Sequence, residues 1–188
     1  RRPYLTINYT MPAAPVLNTS GGSASYTENA APVAVDPGLT ISDADSTLMS
    51  GATVRITTGH VPAQDQLVFT NQNGITGSWN AATGTLTLSG EATLAQYQTA
   101  LRSVGYANSS DAPDLSPRTI EFSVTDAHSN LSSGAASRNL TVTAVNDAPA
   151  GTPAVTGTPT EDQTLTADTT GISDADGLGA FSYQWLRN

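Results

Sequence analysis

The sequence predicts an all-β sandwich carrying one short helix. Three observations point there. Short alternating apolar segments recur between clusters of Gly, Pro, Asn, Asp and Ser, those segments are rich in Val, Ile and Thr, and one stretch alone shows helical spacing. The chain has 188 residues, 38% hydrophobic and 12% charged, with 16 Gly and 11 Pro that follow no collagen-like period.

Taken in order, residues 4–9 alternate and read as the last strand of a preceding domain. Strands are then expected near 23–27, 39–42, 53–57, 66–70, 85–89, 104–106, 119–125 and 137–144. Asn73-Gly74 and Thr83-Gly84 are turn signals. Between the fifth and sixth strands, Leu94, Tyr97 and Leu101 recur at helical spacing, with Thr93 or Ser89 as the cap. That short helix reads as a structural crossover packed over one end of the sandwich.

The chain repeats itself. Thr27-Glu28 returns as Thr160-Glu161, and Thr27 to Thr160 is 133 positions. Ile41-Ser42-Asp43-Ala44-Asp45 returns as Ile172-Ser173-Asp174-Ala175-Asp176, 131 positions on. Ala14-Pro15 returns as Ala148-Pro149, 134 positions on. Three ordered matches at nearly one offset define a repeat unit. The expected organisation is therefore a terminal strand or linker at 1–13, a complete sandwich at 14–147, and a truncated second repeat at 148–188. The truncated piece cannot close a sandwich alone.

Sixteen acidic residues face seven Arg and no Lys, for a net charge of -9. Such a surface repels nucleic acid and anionic membranes, and suits hard divalent cations. Cysteine is absent, which excludes disulfides, thiolate metal sites and a thiol nucleophile. A small cysteine-free domain needs another staple, for which calcium is a common substitute, and the lack of Lys also excludes Lys–Asn isopeptide cross-links. No apolar run is long enough to span a bilayer.

Tyr26-Thr27-Glu28-Asn29, followed by Asp43-Ala44-Asp45, resembles the opening of a cadherin repeat. Phe122-Ser123-Val124-Thr125-Asp126 resembles its penultimate strand with the acidic ending, and Val145-Asn146-Asp147-Ala148-Pro149 resembles its linker. The stretch from Phe69 through Asn108 is more similar to the bacterial cadherin-like repeats of very large surface adhesins. Phe181-Ser182-Tyr183-Gln184-Trp185 resembles an Ig-like repeat with a core Trp.

This resemblance implies a Greek-key cadherin/Ig-like β-sandwich in an extracellular or cell-surface stalk, with neighbouring repeats as partners. It also implies calcium between successive repeats. The downstream junction would draw on Glu28, Asn146 and Asp147 together with Asp174 and Asp176 of the second repeat. Asp43 and Asp45 would face an upstream domain, and Asp126 matches the family's acidic position at the strand end. Glu91 matches the second Glu motif weakly. The linker departs from the family in having Ala144 for its first Asp and no Asn after Asp147, and the Asp-Arg-Glu motif is absent. These departures imply fewer or weaker ions per junction than in vertebrate cadherins, or none.

Plainer readings stand beside these. Asp and Asn in turns commonly satisfy nearby backbone groups, so Asp43-Ala44-Asp45 also reads as a turn and Glu28 as an edge charge. No Asp-X-Asp leads into an EF-hand loop. His60 and His128 lie in polar loops and no nucleophile elbow accompanies them, so an enzyme is not expected. Trp79 and Trp185 read as core residues, although sugar stacking by a module that binds a glycan or protein through its loops remains the alternative function. Sequons stand at Asn8, Asn18, Asn108, Asn130 and Asn139.

Overall fold

A computed structural model describes residues 11–186. The strand expected at 4–9 lies outside the described residues. The elements are β1 (Val16–Asn18), β2 (Ser23–Thr27), β3 (Val33–Ala34), β4 (Thr40–Ser42), β5 (Leu48–Thr58), β6 (Asp65–Val68), β7 (Thr76–Asn80), β8 (Thr85–Thr93), α1 (Leu94–Arg102), β9 (Gly105–Asn108), β10 (Arg118–Asp126), β11 (Ala136–Thr143), β12 (Ala154–Thr156) and β13 (Thr166–Asp168). The protein is an all-β sandwich with one short helix, as the alternation predicts.

One layer is a six-stranded sheet in the order β2-β11-β10-β5-β8-β7. Facing it are the three-stranded sheet β3-β9-β6 and the two-stranded sheet β1-β4. Alternation decides which side chains meet. In β10, Arg118, Ile120, Phe122, Val124 and Asp126 are all buried, and the intervening residues lie on the outer face. Ile56, Leu86, Phe122 and Leu140 from the large sheet share one core with Ile41, Leu67 and Tyr106 from the smaller ones. Tyr26 and Tyr106 meet edge-to-face across the two layers, with ring centroids 5.3 Å apart.

β5 and β8 run well past the expected 53–57 and 85–89. In the fold the β5–β8 register shifts between Met49 and Gly51, and pairing resumes at Met49↔Ala92 and Leu48↔Thr93. Gly90 has φ 124, a conformation open to glycine at little cost. β7 escapes sequence reading because Trp79 is its one large apolar residue and it is an edge strand. Asn73 (φ 54) and Gly74 (φ 77) form the expected tight turn.

The helix carries a capping box. Gln96 N donates to Thr93 Oγ1, and Thr93 N donates to Gln96 Oε1 at 2.9 Å. α1 carries the chain from the large sheet to β9 in the facing layer. Ile41 N donates to Gln98 Oε1, and Arg102 Nε donates to the Leu39 carbonyl, which fastens the helix to the chain around β4.

Beyond Thr143 the strands are sparse. β12 and β13 form a sheet of their own, and Ala150 bridges Ser173. That bridge is the counterpart of Val16↔Ser42 in the β1–β4 pair, at the repeat offset. Trp185 is 58% exposed rather than in a core, because β12 and β13 supply too little surface to cover it.

Candidate metal centre

β2 and β11 are parallel neighbours, with Thr27 opposite Thr143. The residues just beyond each strand therefore leave the sheet side by side. Glu28 N continues the ladder by donating to the Thr143 carbonyl at 2.9 Å. Glu28 Oε2 accepts a hydrogen bond from Val145 N at 2.7 Å. Its other oxygen, Oε1, is buried and has no hydrogen-bond partner, although the residue is only 4% exposed. An ionised carboxylate oxygen in that state is costly unless a cation or another proton compensates it.

Two further carboxylates converge there. Single oxygens of Glu28, Asp111 and Asp147 all lie within 4.8 Å of one another. Ligands at ~2.4 Å from one calcium ion stand at most about 4.8 Å apart, so one ion can touch all three. Asp147 Oδ2 is likewise buried without a partner. The Asp147 carboxyl is held above the usual carboxylate range, first by loss of hydration and then by the negative charges of Asp111, Glu28, Asp176 and Asp174. The donor set is all oxygen, which suits calcium.

The second repeat reaches this centre through the linker. Asp147 N donates to Asp176 Oδ2 at 2.7 Å, and Asp176 N donates to Asp174 Oδ1 at 2.9 Å. The structure thus brings together Glu28, Asp147, Asp174 and Asp176 of the expected downstream set. Asn146 directly precedes Asp147 in the linker. Its Nδ2 donates to the neighbouring Asp147 carbonyl and its side chain is exposed. Asp111, in the loop after β9, was not expected. Its one sequence signal is an acidic residue in a polar loop, Asn108-Ser109-Ser110-Asp111, and such loops are common.

Asp43, Asp45 and Asp126 lie at the opposite end of the sandwich. Asp43 Oδ1 accepts from Asp45 N and Ser46 N, leaving Asp43 Oδ2 buried without a partner. Both Asp45 oxygens accept from Ala13 N, the counterpart of the Asp147–Asp176 contact. Asp126 Oδ1 accepts from His128 N, and Oδ2 accepts from Ser129 N and Ser129 Oγ. The Ser129 hydroxyl above all, joined by the His128 and Ser129 amides and the Ser46 hydroxyl, holds the Asp126 carboxyl far below the usual carboxylate range against the effect of burial. Glu91 is exposed near this same end, beside the β5–β8 pairing at Met49↔Ala92.

Ser46, His128 and Asp126 are neighbours, but the same imidazole nitrogen faces both partners. His128 Nδ1 is 3.4 Å from Ser46 Oγ and 4.0 Å from Asp126 Oδ1. A Ser-His-Asp relay requires opposite ring nitrogens, so this geometry is not one. No helix among the described residues is long and apolar enough to cross a membrane. Asn108 is buried and donates to Asp65, which seals its sequon, whereas Asn18, Asn130 and Asn139 are exposed.

No protein-family model matches the chain. Over 112 residues, 57% of the chain, it is 39% identical to Halomucin of Haloquadratum walsbyi. The matched stretch is 1% of that protein's length.

Proposed function

We propose that this chain is a structural repeat of a secreted or cell-surface protein, in which calcium at the junction between successive sandwiches stiffens the array. The observation that carries the reading is the buried, unpartnered Glu28 Oε1 set among the Asp111 and Asp147 oxygens. An ion there is held by Glu28, Asp111 and Asp147, with Asp174 and Asp176 close enough to add charge. By the same repeat, Asp43 and Asp45 serve an ion at an upstream junction. The finer likeness to cadherin-type adhesin repeats belongs to this reading. So does a surface location, supported by the similarity to Halomucin, a protein so long that the match covers 1% of it. Catalysis has no part in it, nor do nucleic acid or membrane insertion.

The test is a calcium titration of the chain by calorimetry, paired with melting curves in calcium and in chelator. The expected result is saturable binding and a higher melting temperature in calcium, since a ligand that binds only the folded state stabilises it. Coincident melting curves with no binding heat refute the reading.

A second reading, a module that binds a glycan or protein partner through its own loops, has one observation behind it. Half-buried Trp79 lines a shallow depression with Gln64, Gln66 and Ser109. Saccharide binding that is lost in Trp79→Ala would favour it.

A further inference from the structure

Asp111 sits on a nine-residue connection, 109–117, that has no strand pairing of its own and is exposed except at half-buried Ser110 and buried Pro113. A free loop of that kind presents a carboxylate poorly, because binding must then order the loop. Here it is fastened on both sides of Asp111 to one buried group. Asp65 Oδ1 accepts hydrogen bonds from Tyr106 Oη (2.5 Å), Asn108 Nδ2 (2.9 Å) and Arg118 Nη2 (3.1 Å). Asn108 Oδ1 then accepts from Ser110 N at 2.9 Å, immediately before Asp111. Arg118 Nη1 donates to the carbonyls of Asp114 and Ser116, just after it. Tyr26 Oη donates to the Asn108 carbonyl at 3.0 Å and to the Ala30 carbonyl at 3.1 Å, which joins this network to the turn that follows Glu28.

We infer that Asn108, held by the buried Asp65–Arg118 pair, is a positioning residue that presents Asp111 to the cation and thereby sets the affinity of the centre. The inference rests on the calcium reading above. Asn108 hydrogen-bonds to none of the ligand carboxylates among the described residues, so its effect passes through the loop. The network also explains why an arginine is buried at the start of β10. Its planar fork reaches both Asp65 oxygens and two loop carbonyls at once, four acceptors against the three donors of a lysine ammonium.

The test is a four-protein cycle, measured by calcium titration: the chain itself, Asn108→Ala, Asp111→Asn and the double variant. Asn108→Ala is expected to raise the calcium Kd about 10-fold, the usual cost of losing a group that orients a ligand. On the Asp111→Asn background the same change is expected to add no further loss, because its effect runs through Asp111. An unchanged Kd in Asn108→Ala overturns the inference and leaves the calcium reading standing. An equal loss with and without Asp111 also overturns it, since the role is then general to the fold. If the unaltered chain binds no calcium, both fall. Tyr26→Phe removes only a hydroxyl and covers the case in which Asn108→Ala does not fold. It is expected to weaken calcium binding with an unchanged circular dichroism spectrum, and a wild-type Kd there overturns the inference.

Discussion

The inner row of β10 begins with buried Arg118 and ends with buried Asp126. Asp126 at one end of the sandwich and the Glu28 group at the other treat their charges in contrasting ways. At the Asp126 end the carboxylate is saturated by its own turn, with His128 N, Ser129 N and Ser129 Oγ all donating to it. At the Arg118 end the arginine is satisfied by Asp65 and loop carbonyls, but Glu28 and Asp147 keep oxygens with no donor. Local turns can satisfy an acidic group from within three residues. Carboxylates brought together from three separate segments keep oxygens that no turn amide reaches: Glu28 takes only the Val145 amide, on Oε2, and its Oε1 has no donor. The difference marks Asp126 as finished by its own turn and the Glu28, Asp111 and Asp147 group as suited to an external cation, and Asp43, whose Oδ2 also lacks a donor, sides with that group although it lies at the Asp126 end.

That contrast can be broken most violently at Asp65. Asp65→Ala leaves Arg118 buried without its carboxylate, and about 3–5 kcal/mol of stability is expected to go. Denaturant unfolding in chelator measures it, and a loss much smaller than this would mean that the arginine escapes to solvent.

Glu28→Gln and Asp126→Ala sharpen the comparison. In saturating calcium, at about 100 times Kd, the chain is expected to gain about 2.7 kcal/mol over chelator. Glu28→Gln should abolish that gain while matching or exceeding the unaltered chain in chelator, because it removes a negative charge facing Asp111 and Asp147. Asp126→Ala should instead cost about 2 kcal/mol equally in both conditions, because it strips the donors of a buried turn. Melting curves of the two variants with and without calcium separate the cases. Asp126 stabilises above the ordinary carboxylate pKa, and its contribution disappears only as pH falls through its depressed folded value.

The smallest expected effect is a pH dependence of opposite sign at Asp147. Its folded pKa lies above the unfolded one, so the folded chain binds the extra proton between the two. In chelator, stability should therefore fall as pH rises through that window, and calcium should reverse the trend by replacing the proton. Unfolding free energy followed across the acidic range in both conditions checks the sign.

Much of the fold is legible in the chain because period-two alternation is local. The strands around 23–27, 119–125 and 137–144 and the helix with its Thr93 cap follow from neighbours in sequence. β5 and β8 outrun the expected 53–57 and 85–89 because the fold carries their pairing across a register shift beside Gly51 and Gly90. Thr76–Asn80 is obscure because an edge strand needs little apolar content.

For the candidate site, the repeat, the acidic character and the recurrence of Asp43-Ala44-Asp45 as Asp174-Ala175-Asp176 are written in the chain. Tertiary structure alone decided which acids meet. The parallel pairing of β2 with β11 sets Glu28 beside the linker, Asn108 and Arg118 bring Asp111 alongside, and Asp126 is claimed by its own turn at the far end. An acidic residue reads the same in sequence whether its oxygens face a backbone amide or another carboxylate. Only the path of the backbone around it determines which of the two it meets.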